Sequence, residues 1–185
     1  MSPKTTYPFI VLEGITGSGK TALSQRLAER IGATYYATPP ECLKHLRARV
    51  DAEASLEERF LFYVSGIMVA SEEIRRLLTT GPVVCDKYVL TTICYHTAMG
   101  LAVPAPLHLR HISPDFTFLV TCGENVRMDR LRRYRGMKDG DSHHNRQPME
   151  RRCLTEFRSC GLVEIDNSTD DPEVAVGAIL SFLRR

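Results

Sequence analysis

The sequence predicts an α/β fold in three layers, a five-stranded parallel sheet with helices on both faces. Three observations predict it. Short apolar runs alternate with longer helical stretches along the chain. Those runs are continuously apolar, as strands buried on both faces must be. The first run leads straight into a glycine-rich turn and then a helix, the opening of a strand–loop–helix unit. At 185 residues the chain has the length of one domain, so residues 1–185 are expected to share a single core.

Each element has its own signal. Phe9-Ile-Val-Leu-Glu13 is the first strand. Thr21 to Ile31 follows as a helix, because Leu23, Leu27 and Ile31 recur every four residues and Gly32 stops the pattern. Ala33 to Ala37 is a second strand, ended before Pro39-Pro40. Leu56 to Leu78 is a long helix with Phe60, Val64, Ile67 and Ile74 on one stripe, closed by Gly81-Pro82. Pro82-Val-Val-Cys-Asp86 is the third strand, with an acid at its end, and a helix follows to about Met99. Pro104, Pro106 and Pro114 make Leu101 to Pro114 a surface loop. Phe116 to Val120 is the fourth strand, and Glu124 to Arg135 an arginine-rich helix. Gly136 to Pro148 is polar and glycine-containing and reads as a mobile loop, followed by a helix from Met149 to Cys160. Leu162 to Ile165 is the fifth strand. Asp171-Pro172 opens the last helix, with Asp at the N-cap and Pro at the first helical position.

Composition excludes several classes. Hydrophobic residues make up 43% and charged residues 25%, the balance of a globular domain and not of a disordered or collagen-like chain. Lys+Arg of 24 against Asp+Glu of 22 gives a net charge of +2, and with no supporting motif a nucleic-acid partner is not expected. No apolar run reaches the ~18 residues of a membrane span. The start of the chain lacks a signal-peptide apolar segment, so a cytoplasmic protein with no membrane partner is expected. The six cysteines form no Cys-x-x-Cys pair and read as reduced thiols. His143-His144 and His108-x-x-His111 lack carboxylate or cysteine ligands at a suitable spacing, so no structural metal is expected.

Gly14-Ile-Thr-Gly-Ser-Gly-Lys-Thr21 fits G-x-x-x-x-G-K-[ST] in full, between a strand and a helix as that loop requires. Gly14, Gly17 and Gly19 let successive N–H groups turn toward one concavity, with Thr16 and Ser18 between them, and the helix adds its positive end. ATP with Mg²⁺ is the expected donor. Lys20 would bring charge to the β- and γ-phosphates, and the Thr21 hydroxyl would reach the metal. No Asn-Lys-x-Asp reads guanine, and the short chain favours a small kinase. Asp86 ends its strand where open parallel sheets gather ligands. There it would orient Mg²⁺, accept the proton of an attacking hydroxyl, or only cap the next helix. Arg127, Arg130, Arg132, Arg133 and Arg135 form either a solvated face or a lid over residues 135–148 that neutralises the transferring phosphoryl group. Arg130 and Arg135 are the catalytic candidates. Phe60 and Phe62, two apart on one helix, cannot both face the core, which leaves Phe62 for an acceptor pocket.

The ordered set of segments resembles the thymidylate kinases. Phe9-Ile-Val-Leu-Glu-Gly-Ile-Thr-Gly-Ser-Gly-Lys-Thr is similar to their F-I-x-x-E-G-x-D-G-x-G-K-[ST]. Val84 to Tyr95 is similar to their [VI]-x-D-R-Y-x-x-S-x-x-A-Y, Leu61-Phe62 to their L-F, Arg135-Gly136 to the R-G opening their lid, and Ile165-Asp-Asn-Ser to the turn beside their adenine. The resemblance implies a P-loop kinase fold, ATP and Mg²⁺, and a homodimer. It also implies that Phe62 stacks on the acceptor base, that Asp86 serves magnesium and the phosphates, and that Lys87 and Tyr95 contact the acceptor. Four places depart from the family's pattern, one of them the stretch Thr38-Pro-Pro-Glu-Cys42, where the family has an arginine near the proline after strand two. The family's loop acid is Thr16 here. The Arg of D-R-Y is Lys87, a point charge without a fork. The arginine four residues after the stacking Phe is Gly66; Gly66→Arg is expected to improve binding of a thymidylate-like acceptor if the pocket is merely degenerate, and to bring no gain or a loss if the pocket is reshaped for something else. The expected activity is phosphoryl transfer from ATP to a nucleotide-like small-molecule acceptor. The alternatives are a kinase for an unphosphorylated nucleoside or other hydroxyl compound, or a non-catalytic nucleotide-binding protein.

Overall fold

The structure, a computed structural model, describes residues 7–103, 110–135, 143–169 and 171–184. In chain order the elements are β1 (Phe9–Glu13), α1 (Lys20–Ile31), β2 (Thr34–Ala37), α2 (Glu41–Glu53), α3 (Leu56–Leu77) and β3 (Val83–Asp86). Then follow α4 (Val89–Ala98), β4 (Phe116–Thr121), α5 (Glu124–Arg135), α6 (His143–Ser159), β5 (Val163–Asp166) and α7 (Pro172–Leu183). The five strands form one parallel sheet in the order β2-β3-β1-β4-β5. This is the predicted fold class.

The continuous apolar runs follow from burial on both faces. All five residues of β1 are buried. Successive side chains point to opposite faces, so the strand feeds two cores. Ile10 and Leu12 pack with Leu23 and Leu27 of α1 and with Val176 and Ile179 of α7. Phe9 and Val11 pack with Ile67, Ala70 and Ile74 of α3. Leu119 of β4 joins that second face by meeting Cys94 and Ala98 of α4 and Cys153 and Phe157 of α6. Each fully buried aliphatic or aromatic side chain is worth ~1.5–3 kcal/mol. A one-residue slip of β1 would exchange the two sets.

Two elements differ from the sequence reading. α2 was invisible to apolar periodicity because it contributes no buried residue. Its helix is legible instead in charge pairs one turn apart, Arg47–Asp51 and Arg49–Glu53. α6 begins at His143, so residues 143–148 are helical and not loop, with Pro148 inside the helix. Proline has no N–H to return to residue 144, which is why it looks like a boundary in sequence. Of the predicted loops and lid, residues 104–109 and 136–142 lie outside the described residues.

α3 starts with a reciprocal cap. Ser55 accepts from the Glu58 N–H, and the Glu58 carboxylate accepts from the Ser55 N–H. Ser55→Ala is expected to cost about 1 kcal/mol. At ~2–4 °C per kcal/mol for a chain of this size, a thermal melt would show it.

Candidate phosphate-transfer site

β1 and β3 lie side by side with Leu12 opposite Asp86, so their carboxyl ends bring two segments together. From β1 comes the glycine-rich loop, from β3 Asp86 and Lys87. α1 begins at Lys20, its N-cap Gly19 is left-handed at φ 87°, and no side chain caps its first turn. Those N–H groups remain for an anion.

The loop is held by its carbonyls. The Lys20 Nζ donates to the Ile15 carbonyl at 2.7 Å. The Arg127 Nη1 donates to the Thr16 carbonyl at 3.2 Å, and the Cys122 thiol lies 3.8 Å from the Gly17 carbonyl. The Ser18 carbonyl accepts from Asn167 Nδ2 at 2.9 Å and from Arg130 Nη1 at 3.3 Å. Four successive carbonyls are therefore engaged. Among the N–H groups, that of Ser18 turns back on Ile15, and that of Thr16 donates to the Tyr95 hydroxyl at 3.0 Å.

The Thr21 hydroxyl donates to Asp86 Oδ2 at 2.6 Å, while Asp86 Oδ1 is buried without a hydrogen-bond partner among the described residues. Lys87 has a left-handed backbone at φ 68°. It is fixed there from both ends, since its N–H donates to the Leu12 carbonyl and its own carbonyl accepts from the Thr38 hydroxyl and the Cys85 thiol. A non-glycine residue held in this region costs ~1–2 kcal/mol, and such positions gather at functional sites.

Two buried ionisable groups lie beneath. Burial pushes the Glu13 carboxyl up to about 7, opposed by donors from the Tyr88 N–H and the Thr91 hydroxyl. Burial, and then repulsion from Lys87, pulls the Lys20 ammonium down to about 8. Perturbed groups facing one cleft mark candidate functional sites.

Of the residues singled out in sequence, Gly14, Thr16, Gly17, Ser18, Gly19, Lys20, Thr21, Asp86, Lys87, Tyr95 and Arg130 belong to this connected region. Phe62 is half-buried on α3 in a T-shaped contact with Tyr63, centroids 5.4 Å apart, while Phe60 is buried against His96. The split between the two phenylalanines is the one their spacing predicts. Arg135 ends α5, but its side chain lies outside the described residues. Sequence reasoning missed Glu13, Asn167 and Glu150. Asn167 had a sequence signal in the Ile165-Asp-Asn-Ser turn, and Glu13 had one as the acid of the Phe9-to-Thr21 segment; Glu150 had none.

A parallel sheet whose central strand runs into this loop defines a P-loop α/β protein. Residues 12–174 match the thymidylate kinase family, and the chain belongs to that family. A probable thymidylate kinase of Methanococcus vannielii is 34% identical over 97 residues, 51% of this chain and 49% of that one. The thymidylate kinase of Pelobacter propionicus is 30% identical over 144 residues, 68% and 66% of the two chains. The chain thus spans about half the length of some curated relatives and about two thirds of others. Among solved structures, the thymidylate kinase of Ehrlichia chaffeensis superposes with TM-score 0.72 at 18% identity, covering 96% of this chain and 98% of its own. That of Candida albicans gives TM-score 0.74 at 15% identity, covering 96% and 91%. These two likenesses bear on the fold. Among the described residues no helix is long and apolar enough to cross a membrane.

Proposed function

We propose that this chain is an ATP-dependent kinase of the thymidylate kinase kind, which passes the γ-phosphoryl group to a nucleoside monophosphate. The observation that carries the reading is the Thr21–Asp86 hydrogen bond at the sheet's carboxyl edge, with the second Asp86 oxygen buried and unpartnered. Hard oxygen donors with spare acceptor capacity, beside an uncapped helix N-terminus, fit Mg²⁺ and a triphosphate. Thr21 and Asp86 would hold the ion, which when bound would neutralise charge on the β- and γ-phosphates. Lys20 would exchange the Ile15 carbonyl for phosphate oxygens. Gly14 to Gly19 would cradle the triphosphate, and Arg130 and Arg135 would add charge from α5. On the acceptor side, Phe62 offers a ring face, Lys87 a cation and Tyr95 a hydroxyl. Catalysis is then positioning and charge neutralisation. The exposed Leu61, Met68 and Val69 on α3 are consistent with a homodimer.

A second reading, a kinase for an unphosphorylated acceptor, has an observation of its own. Gly66 is buried, and a Cβ there would meet Leu43 at 3.4 Å and Pro40 at 3.6 Å. The start of α2 therefore covers the position where the family's pattern has an arginine. Gly66→Ala should fit, and helix propensity favours it by up to ~1 kcal/mol. Gly66→Arg should instead displace α2 and cost ~1–3 kcal/mol, with no gain in thymidylate binding. Melting curves and acceptor titrations check both variants.

The test of function is ATP consumption with Mg²⁺ against nucleoside monophosphates, nucleosides and small hydroxyl compounds. Turnover with thymidylate or a related monophosphate supports the first reading. Turnover only with unphosphorylated acceptors replaces it with the second. Silence throughout overturns both.

A further inference from the structure

Arg127 shares α5 with Arg130, but its side chain is only 3% exposed. Its fork is fully occupied. Nε and Nη2 donate to the two oxygens of Glu124 at 2.9 and 2.8 Å. Nη1 donates both to Glu150 Oε2, on α6, at 2.6 Å and to the Thr16 carbonyl at 3.2 Å. The Glu150 side chain is 6% exposed, whereas that of Glu124 is 52% exposed. The Arg127 stem also closes over the loop, since a Cβ at Gly17 would lie 2.9 Å from its Cγ. From the other side, the Tyr95 hydroxyl takes the Thr16 N–H. Residue 16 is thus held at its N–H by α4 and at its carbonyl by α5, with α6 behind.

We propose that Arg127 and Glu150 are positioning residues, a buried ion pair that sets where the Thr16–Gly17 peptide lies and so how the loop's N–H groups meet a triphosphate. The proposal rests on the reading of this loop as the ATP site. A buried ion pair is weak evidence for stability, because apolar residues of similar volume often serve as well. Only a charged fork reaches a backbone carbonyl here while filling the space over Gly17, and a fork buried this deeply needs a buried counter-charge. Without the charge at Glu150, the fork is left to the solvent-facing Glu124, which draws it away from Thr16. A small displacement of a positioning group is enough to cost one to two orders of magnitude in function.

The experiment measures binding of a fluorescent N-methylanthraniloyl ATP analogue, together with KM for ATP and for the acceptor. Glu150→Gln keeps shape and one acceptor oxygen. It is expected to weaken analogue binding about tenfold and raise KM for ATP to match, with a much smaller change in the acceptor's KM, since Thr16 also meets Tyr95. The double variant Arg127→Leu/Glu150→Leu removes both charges together, which guards against misfolding around an unpaired charge. It should show the same selective loss with a cooperative melt. A purely structural pair would lower the melting temperature and leave the constants of the folded enzyme alone. Wild-type binding constants in both folded variants overturn the proposal. Failure of the wild-type chain to bind the analogue overturns the ATP-site reading itself, and the proposal with it.

Discussion

Lys20→Met is expected to lower turnover at least ~10²-fold while leaving the protein at least as stable as before. The kinetic part follows from the proposed donor site, in which this ammonium would bring a full charge to the β- and γ-phosphates. The stability part follows from burial. The residue is 4% exposed, and its ammonium, pulled from 10.5 to about 8, is held charged against burial at a cost on the order of 3 kcal/mol. Methionine fills the same space without that cost. It also gives up the bond to the Ile15 carbonyl, so the gain is a fraction of the whole. The pH dependence has a definite sign. Below about pH 8 the group is protonated in folded and unfolded chains alike, and the cost is fully present. Between about 8 and 10.5 the folded chain has released the proton and the unfolded chain keeps it, so stability rises with pH. The advantage of Lys20→Met should therefore shrink on going from pH 7 to pH 10, and ATP binding by the wild type should weaken above about pH 8. A folded Lys20→Met with near-normal turnover would contradict the donor-site assignment.

Gly14→Ala is expected to be the most damaging small substitution in the loop. The residue sits at φ 142°, and a Cβ there would fall inside the van der Waals shell of the Val120 carbonyl oxygen. That oxygen belongs to β4, next to β1 in the sheet, so it cannot swing away as a side chain would. Backbone strain of ~1–3 kcal/mol adds to overpacking of ~1–3 kcal/mol. A fall in Tm on the order of 10 °C should follow. Gly32→Ala is the control. It too has positive φ, at 64°, but nothing lies within 4 Å of its Cβ position. It should lose only ~1–2 kcal/mol. Equal losses at the two sites would mean that β4 yields and the close approach does not matter.

The parts of this protein that chemistry spaces along the chain were legible in sequence. The loop from Gly14 to Thr21 is one contiguous motif, and Asp86 follows an apolar run. Both sit at strand ends that a parallel sheet brings together. β1 and β3 were readable because burial on both faces leaves no polar alternation, whereas the edge strands β2 and β5 are only partly buried. α2 was not, because its evidence lies in charge pairs and not in an apolar face. Arg127 and Glu150 were not, because 23 residues separate them and nothing local marks one arginine of a basic helix as buried. Gly66 was legible as a departure, but its meaning needed the neighbour that covers it.

The four engaged carbonyls of the loop have a consequence for nucleotide association. A flexible glycine-rich segment would have to surrender its backbone freedom when the triphosphate arrives, at ~1–2 kcal/mol for each residue ordered. Here Arg127, Cys122 and Asn167 hold it by carbonyls that a bound triphosphate would not have to displace, whereas Lys20 and Arg130 would exchange theirs for phosphate oxygens. If the loop is the ATP site, nucleotide binding would then demand little ordering of this segment and would carry a correspondingly small entropic cost.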